Sequence, residues 1–440
     1  MIDIKEESLN GYTFIDLFAG LGGFHVALES LGAKCVYANE WDSHAQEVYK
    51  ANFNMLPEGD ITKVDEKTIP DHDILCAGFP CQAFSISGKR LGFQDSRGTL
   101  FFDVARIVKE KRPKVVFMEN VKNFASHDGG KTMAVVKATM EELGYTFDYK
   151  VLNAVDYGVP QKRERVYMVC FRNDIDSSGF SFPKPFKLMK HVEDFLLNDE
   201  EMVKHLYVQR EDTYYNDTID DKYSDKAIRL GIVNKGGQGE RIYSTKGIAI
   251  TFSAYGGGVF AKTGGYLVNG RPRRLHPREC ARLMGYPDHY IISPKASQAY
   301  KQFGNSVVVD VIQLVAQNIG HILGSIMKKR QSMKLYTNQE QTEKLIELGF
   351  PKPQYALPIR QEGQALIHAL RYTIEELIEF LPKTIKWEEV VYSRVIDVEC
   401  VAYYSWDYEV YFGSDLIFEE KELIDSLFKA CVTLKEEGVI

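Results

Sequence analysis

Four short apolar runs, at residues 13–18, 34–39, 74–77 and 115–118, constrain this chain more than any other feature. Each is long enough for a buried strand and too short for a helix. Stretches with helical spacing near 24–30, 99–110 and 131–143 fall between or after them. This alternation predicts an α/β domain with buried central strands. Open sheets of that kind bind ligands beyond the carboxyl ends of their strands. Here those ends carry Gly20-Leu21-Gly22-Gly23, Glu40-Trp41-Asp42, Gly78-Phe79-Pro80-Cys81-Gln82 and Glu119-Asn120-Val121.

Each of these ends admits a chemical reading and a plainer one. The glycines after residue 18 let a backbone approach a ligand closely, or simply pack a turn. They are neither the dinucleotide fingerprint nor a phosphate-binding P-loop, because no Gly-Lys-Ser/Thr follows. Glu40 at the end of the second strand is suited to accept from ribose hydroxyls. Trp41 beside it offers a face to a purine, and Asp60 an acceptor for an exocyclic amine or an ordinary surface acid. The run at 74–77, counted as the fourth strand, delivers Cys81 on a turn stiffened by Pro80. A cysteine there is a presented nucleophile or a buried structural thiol. Glu119 is a site acid or a helix-capping acid.

The loop at 82–98 is polar, glycine-spaced and net basic, with Ser85, Ser87, Lys89 and Arg97. It reads as a lid able to reach phosphates. Arg163 and Arg165 stand two apart on an extended segment and are expected to point the same way. They suit a phosphate or a base carbonyl, or are a solvated cluster. From about 190 to 275 helical periodicity gives way to short strands broken by glycine, read at 229–233, 235–244 and 253–258. Gln and Arg on such loops match base edges in a major groove. Asn305 reads as the start of a long helix from 308 to about 328, where asparagine is a good cap.

The formal charge of −7 is unevenly spread. Residues 331–440 hold 11 Lys and Arg against 20 Asp and Glu, a balance of −9; the rest hold 43 against 41, or +2. The acidic balance thus belongs to a C-terminal α+β module, whose surface disfavours a DNA backbone and suits contact with another protein. Arg271-Pro272-Arg273-Arg274 is a candidate basic surface in the first part. The seven cysteines are scattered and never form a CxxC pair, so neither a disulfide framework nor a structural zinc site is indicated. With no signal-like N-terminus and no run of 18 uncharged apolar residues, a cytoplasmic protein is expected.

Taken in order, the motifs Asp16-Leu17-Phe18-Ala19-Gly20-Leu21-Gly22-Gly23, Gly78-Phe79-Pro80-Cys81-Gln82, Phe117-Met118-Glu119-Asn120-Val121, Gln161-Lys162-Arg163-Glu164-Arg165 and Gln302-Phe303-Gly304-Asn305-Ser306 resemble those of the DNA (cytosine-5)-methyltransferases. The resemblance covers residues 1–328 and is closest to members that modify GCGC. It implies an S-adenosylmethionine-dependent methyltransferase fold, Rossmann-like with a mixed seven-stranded sheet, in residues 1–190 and 304–328. It implies a small strand-rich target-recognition domain at 191–275 and a connector at 276–303. The acidic module at 331–440 lies outside it.

The same resemblance implies roles. Cys81 would attack C6 of a flipped cytosine, Glu119 would bind N3 and the exocyclic amine, Arg165 the O2 carbonyl, and Arg163 would support the phosphate or the loop. S-adenosylmethionine, leaving as S-adenosylhomocysteine, would contact Phe18, Gly20, Leu21, Gly23, Glu40, Trp41, Asp60, Ile61, Pro80, Leu100, Asn305 and Val307. No metal is needed. Double-stranded DNA would meet Ser85, Ser87, Lys89, Arg97, Arg165, Gln238, Arg241, Ser253, Tyr255, Gly256 and Gly257, with the protein a monomer on the DNA. Bacterial and phage origins are both compatible. Two alternatives stand beside this reading: a transfer-RNA type cytosine-5 enzyme, and a non-catalytic DNA-binding scaffold.

Overall fold

The computed structural model describes residues 8–80, 100–216 and 222–332, then residues 344 and 346–348 and four strands within 355–393. Cys81, Ser85, Ser87, Lys89 and Arg97 lie outside the described residues, as does most of the α+β module expected at 331–440. The chain divides into two compact units, Met1–Gly324 and Ser325–Ile440.

The first unit is built on a sheet whose strands are β1 (Thr13–Leu17), β2 (Lys34–Asn39), β3 (Ile74–Ala77), β4 (Val115–Val121), β5 (Asp148–Asn153) and β6 (Glu164–Phe171), in spatial order β2-β1-β3-β4-β6-β5. β2, β1, β3 and β4 are parallel. β6 alone runs against its neighbours β4 and β5. The helices α1 (Gly23–Glu29), α2 (Ser43–Phe53), α3 (Leu100–Lys111) and α4 (Lys131–Glu142) connect them.

The sequence pattern explains the layers. Alternate residues of β1, β3 and β4 face opposite ways. Leu17, Ala77 and Met118 join Val104 and Val108 of α3 and Val136 and Met140 of α4 in one core. On the other face Phe117 meets Phe24 of α1 edge to face, ring centres 5.1 Å apart. Truncating a wholly buried phenylalanine such as Phe117 to alanine costs about 3–5 kcal/mol.

The described sheet has six strands where seven were expected, and the run at 74–77 is third in the chain rather than fourth. The reason lies at Pro57-Glu58-Gly59. Glu58 adds to the outer edge of β2 as a single bridge to Asn39. Proline cannot donate on one side of it, and the chain after Asp60 winds into two short 3-10 turns.

A second sheet follows in the order β11-β10-β9-β8-β7. Its strands are β7 (Thr213–Tyr215), β8 (Arg229–Val233), β9 (Arg241–Ser244), β10 (Gly265–Val268) and β11 (Arg271–Arg274). The short helix α5 (Glu200–Val203) precedes it. The strand expected over 235–244 begins only at Arg241, after a 3-10 turn at Gln238–Glu240. The strand expected over 253–258 is a loop. Gly256 and Gly258 there have φ of 142° and 101°, outside strand geometry.

The candidate basic surface at residues 271–274 is also corrected. Arg273 is wholly buried and makes a two-pronged pair with Glu279 at 2.8 and 2.7 Å. Arg271 lies over the Tyr207 ring and pairs with Glu200. Arg274 lies over the Tyr300 ring.

Helices α6 (Pro277–Arg282), α7 (Ala296–Asn305) and α8 (Val309–Ser332) follow. Asn305 therefore closes α7 rather than capping α8. The stretch from Ala296 to Ser325 is long and apolar enough to cross a membrane by composition, but most of it is buried inside the protein. In the second unit, β12 (Tyr355–Ile359) pairs antiparallel with β13 (Ile367–Arg371), and β14 (Thr384–Trp387) with β15 (Val390–Ser393).

Candidate active site

The strand order places β2 and β3 on opposite sides of β1, so the connections leaving the neighbours β1 and β3 turn to opposite sides at their carboxyl ends. A crevice there is the expected ligand site. The structure has one, a cleft of about 730 Å³. Its walls hold all twelve cofactor candidates: Phe18, Gly20, Leu21, Gly23, Glu40, Trp41, Asp60, Ile61, Pro80, Leu100, Asn305 and Val307. Glu119, Arg165 and Tyr255 line the same cleft.

The loop after β1 is tightly specified. Phe18 has a φ of 56°, a conformation that costs a non-glycine residue of order 1–3 kcal/mol. Gly22 is left-handed as well, and a Cβ on Gly23 would overlap the Val307 side chain. Glu40 fixes this loop from below. Its Oε2 accepts from Gly20 N–H and its Oε1 from Asp42 N–H, both at 2.8 Å. Burial raises the pKa of Glu40, while those N–H groups favour its ionised form. The Tyr290 hydroxyl donates to the Leu21 carbonyl, and Tyr286 and Ser306 share a hydroxyl hydrogen bond of 2.7 Å.

Around this loop stand the other expected contacts. Trp41 is 83% exposed, an indole face available at the rim. Asp60 accepts from the backbone and hydroxyl of Thr62, and these bonds hold its carboxyl below the usual range. The Asn39 amide donates to the Glu58 and Gly59 carbonyls and so fixes the segment carrying Asp60.

The second half of the cleft depends on the reversed strand. Because β6 is antiparallel to β4, its beginning lies beside the end of β4, with Val121 opposite Arg165 and Glu119 opposite Tyr167. Arg165 Nε stands 3.1 Å from Glu119 Oε1. Burial raises the pKa of Glu119; the charges of Arg165 and Arg163 act the other way without cancelling it. The pair is thus an acid inclined to keep its proton and a guanidinium fixed beside it. Asn120 donates to the Phe79 carbonyl at 2.9 Å, tying the turn that precedes Cys81 to the end of β4.

Arg163 is placed differently from Arg165. It is buried and donates to the carbonyls of Phe252, Gly304 and Ser306. Burial and the nearby Arg165 charge lower its guanidinium to about 9. Its hydrogen bonds join the start of β6 to the loop before Ser253 and to the end of α7. Gly304 makes that approach possible, since a Cβ there would overlap the backbone at Ser253 and Ala254.

Six of the eleven expected DNA contacts lie at the second sheet and its loops. Gln238, Ser253, Tyr255, Gly256 and Gly257 line a groove of about 240 Å³. Arg241 stands at the start of β9, its Nε donating to the Gly236 carbonyl. Tyr255, 75% exposed, lines both this groove and the larger cleft. Residues that sequence reasoning missed include Tyr286, Tyr290, Ser306 and Lys301. Lys301 and Ser306 fall within or beside a motif read for other residues, and the tyrosines signal only as aromatic residues near Gly285.

Such a fold and cleft define an α/β protein whose glycine loop and acid–guanidinium pair open on one crevice. Residues 12–321 match the C-5 cytosine-specific DNA methylase family. The chain belongs to that family and is a DNA cytosine-5 methyltransferase, as its motifs led one to expect. It is 70% identical over 323 residues to the Type II methyltransferase M.HhaI of Haemophilus parahaemolyticus, covering 73% of this chain and 98% of that one. It is 44% identical over 321 residues to the Type II methyltransferase M.SsoII of Shigella sonnei, covering 71% and 81%. Among solved structures, the S. pombe Dnmt2 methyltransferase matches with a TM-score of 0.55 at 20% identity, over 72% of this chain and 99% of that one. That likeness concerns the fold alone.

Proposed function

We propose that the protein methylates C5 of the inner cytosine of GCGC in duplex DNA, with S-adenosylmethionine as methyl donor and Cys81 as transient nucleophile. The observation that carries this reading is the single cleft. The glycine loop with Glu40 and Asp60 forms one part of its wall and the Glu119–Arg165 pair another, and Pro80 lines it too. The close relationship to a Type II enzyme supports a duplex DNA substrate.

The residues fit the cofactor. Backbone approach at Gly20 and Gly23, acceptors at Glu40 and Asp60, and the apolar Ile61, Leu100 and Trp41 suit a sugar, an amine and a purine. S-adenosylmethionine, when bound, supplies an electrophilic methyl group for a carbon brought against it.

This chain's residues make that carbon nucleophilic. Cytosine C5 is unreactive alone. The Cys81 thiolate adds to C6, and the displaced electron pair spreads over C5, N3 and O2. Glu119 holds its proton at N3 and accepts from the exocyclic amine. Arg165 donates to O2 as negative charge grows there. One such preorganised donor is worth about 10²–10³ in rate. Loss of the C5 proton to solvent or a base then expels the sulfur and regenerates Cys81. The target base leaves the stack first, at a cost of a few kcal/mol, with Gln238 and Ser87 proposed to occupy its place.

Gln238, Arg241, Ser253 and Tyr255 would read the duplex, and the protein would act as a cytoplasmic monomer. The acidic module after residue 330 would contact another protein rather than DNA. Labelled methyl donor with GCGC duplex or transfer RNA in competition tests the substrate. Label in the duplex supports the reading; label in the RNA alone overturns it.

A further inference from the structure

Lys301 lines the cleft without belonging to any of the chemistry above. It stands on α7 and reaches across to the turn that follows β2. Its Nζ lies 3.0 Å from Asp42 Oδ2. The next residue, Gln302, donates through Nε2 to the His44 carbonyl at 3.1 Å. Two consecutive side chains of one helix thus grip a turn from far away in the chain.

Asp42 divides its carboxylate between two tasks. Oδ1 caps α2 by accepting from His44 and Ala45 N–H. Oδ2 is left for Lys301. Asp42 is also tied inward, because its own N–H donates to Glu40 Oε1. The three-residue turn Glu40-Trp41-Asp42 is therefore held from inside by Glu40 and from outside by Lys301. Trp41, between them, projects almost free of protein contact.

We propose that Lys301 is a positioning residue for the cofactor, its ion pair with Asp42 holding the Glu40-Trp41-Asp42 turn in the form that receives a nucleoside. The inference rests on the reading of this cleft as the S-adenosylmethionine site and adds a residue that does not touch the reacting atoms. An ammonium at this place has a second consequence. It offsets the Asp42 carboxylate, whose negative charge bears on the neighbouring Glu40. The pair is about one-third exposed at each end, so screening reduces its strength relative to a buried pair.

The test is calorimetric binding of S-adenosylhomocysteine to the full-length protein and its K301M, K301R, D42N and D42N/K301M variants. Melting temperatures and cofactor-dependent kinetics are measured in parallel. The account expects K301M to weaken binding about tenfold, the scale of one charge-assisted contact. It expects K301R to recover most of that loss and the double variant to bind no more weakly than D42N. The Michaelis constant for S-adenosylmethionine should rise more than turnover falls. Unchanged affinity in K301M overturns the inference. So does a loss that K301R leaves unrepaired while the melting temperature falls, or a loss confined to DNA binding. Failure of the wild-type protein to bind S-adenosylhomocysteine would instead overturn the reading of the cleft itself.

Discussion

Arg165 Nε stands 3.1 Å from Glu119 Oε1, and the two residues reach each other only because β6 runs backwards beside β4. A parallel strand in that place would carry its first residues to the far edge of the sheet. One reversed strand therefore brings the acid and the guanidinium to the same cleft. The pair predicts that Glu119→Gln lowers turnover about 10²–10³-fold, with affinity for GCGC duplex changed far less. Single-turnover methylation and a binding titration check the two halves.

Burial raises the pKa of Glu119, which gives a pH prediction. The protonated acid is the useful form at cytosine N3, so its contribution is present below the raised pKa and lost as pH rises through it. The alkaline decline of single-turnover rate attributable to this group should be absent in Glu119→Gln, whose amide cannot ionise. Rate profiles of the two proteins over the same pH range decide this.

Arg163 supports a stability prediction. Its guanidinium satisfies the carbonyls of Phe252, Gly304 and Ser306 in the interior. Arg163→Met leaves these acceptors without their donor. Each stranded buried group costs about 1–3 kcal/mol. A fall of about 3 kcal/mol or more in unfolding free energy is expected from denaturant titration, and Arg163→Lys should recover only part of it.

His25 supplies an acid-sensitivity prediction. It is buried, hydrogen-bonded to the Tyr49 hydroxyl at 2.7 Å and stacked on Phe53, and burial lowers its pKa to about 4. A base depressed in the folded state contributes stability that is complete above about 6.5, its unfolded pKa. That stability declines as pH falls from there toward 4. At pH 5 the loss is about 2 kcal/mol relative to pH 7. Urea titrations at the two pH values should show this increment in the wild type and not in His25→Gln.

The glycine loop gives a cofactor prediction. A Cβ at residue 23 would overlap Val307 and approach the Tyr286 hydroxyl. Gly23→Ala should weaken S-adenosylhomocysteine binding about tenfold or more. Gly23→Ala with Val307→Ala should recover part of it, because the overlapping methyl is removed. Calorimetry on the two variants measures both effects.

The parts of this site that were legible in the sequence are local. A run such as Ile74 to Ala77 shows its burial in its composition, and its carboxyl end marks where chemistry belongs. Relationships between distant segments were not legible. Nothing in residues 164–171 shows that the strand is reversed, so the meeting of Arg165 with Glu119 was not evident from their spacing. Asn305 has the chemistry of a helix cap, yet Gly304 lets the end of α7 approach the backbone of Ala254, and the helix stops there instead. Arg273 looked like part of a basic surface because its partner Glu279 is brought to it only by the fold. Lys301 was invisible for the same reason. The strand expected at 253–258 failed because Gly256 and Gly258 adopt positive φ.

The most direct test incubates the full-length protein with methyl-labelled S-adenosylmethionine and a duplex carrying one GCGC, alongside Cys81→Ser, and locates the label by base and strand position. The account predicts 5-methylcytosine at the inner cytosine for the wild type and none for the variant. Modification by Cys81→Ser at the wild-type rate would contradict it.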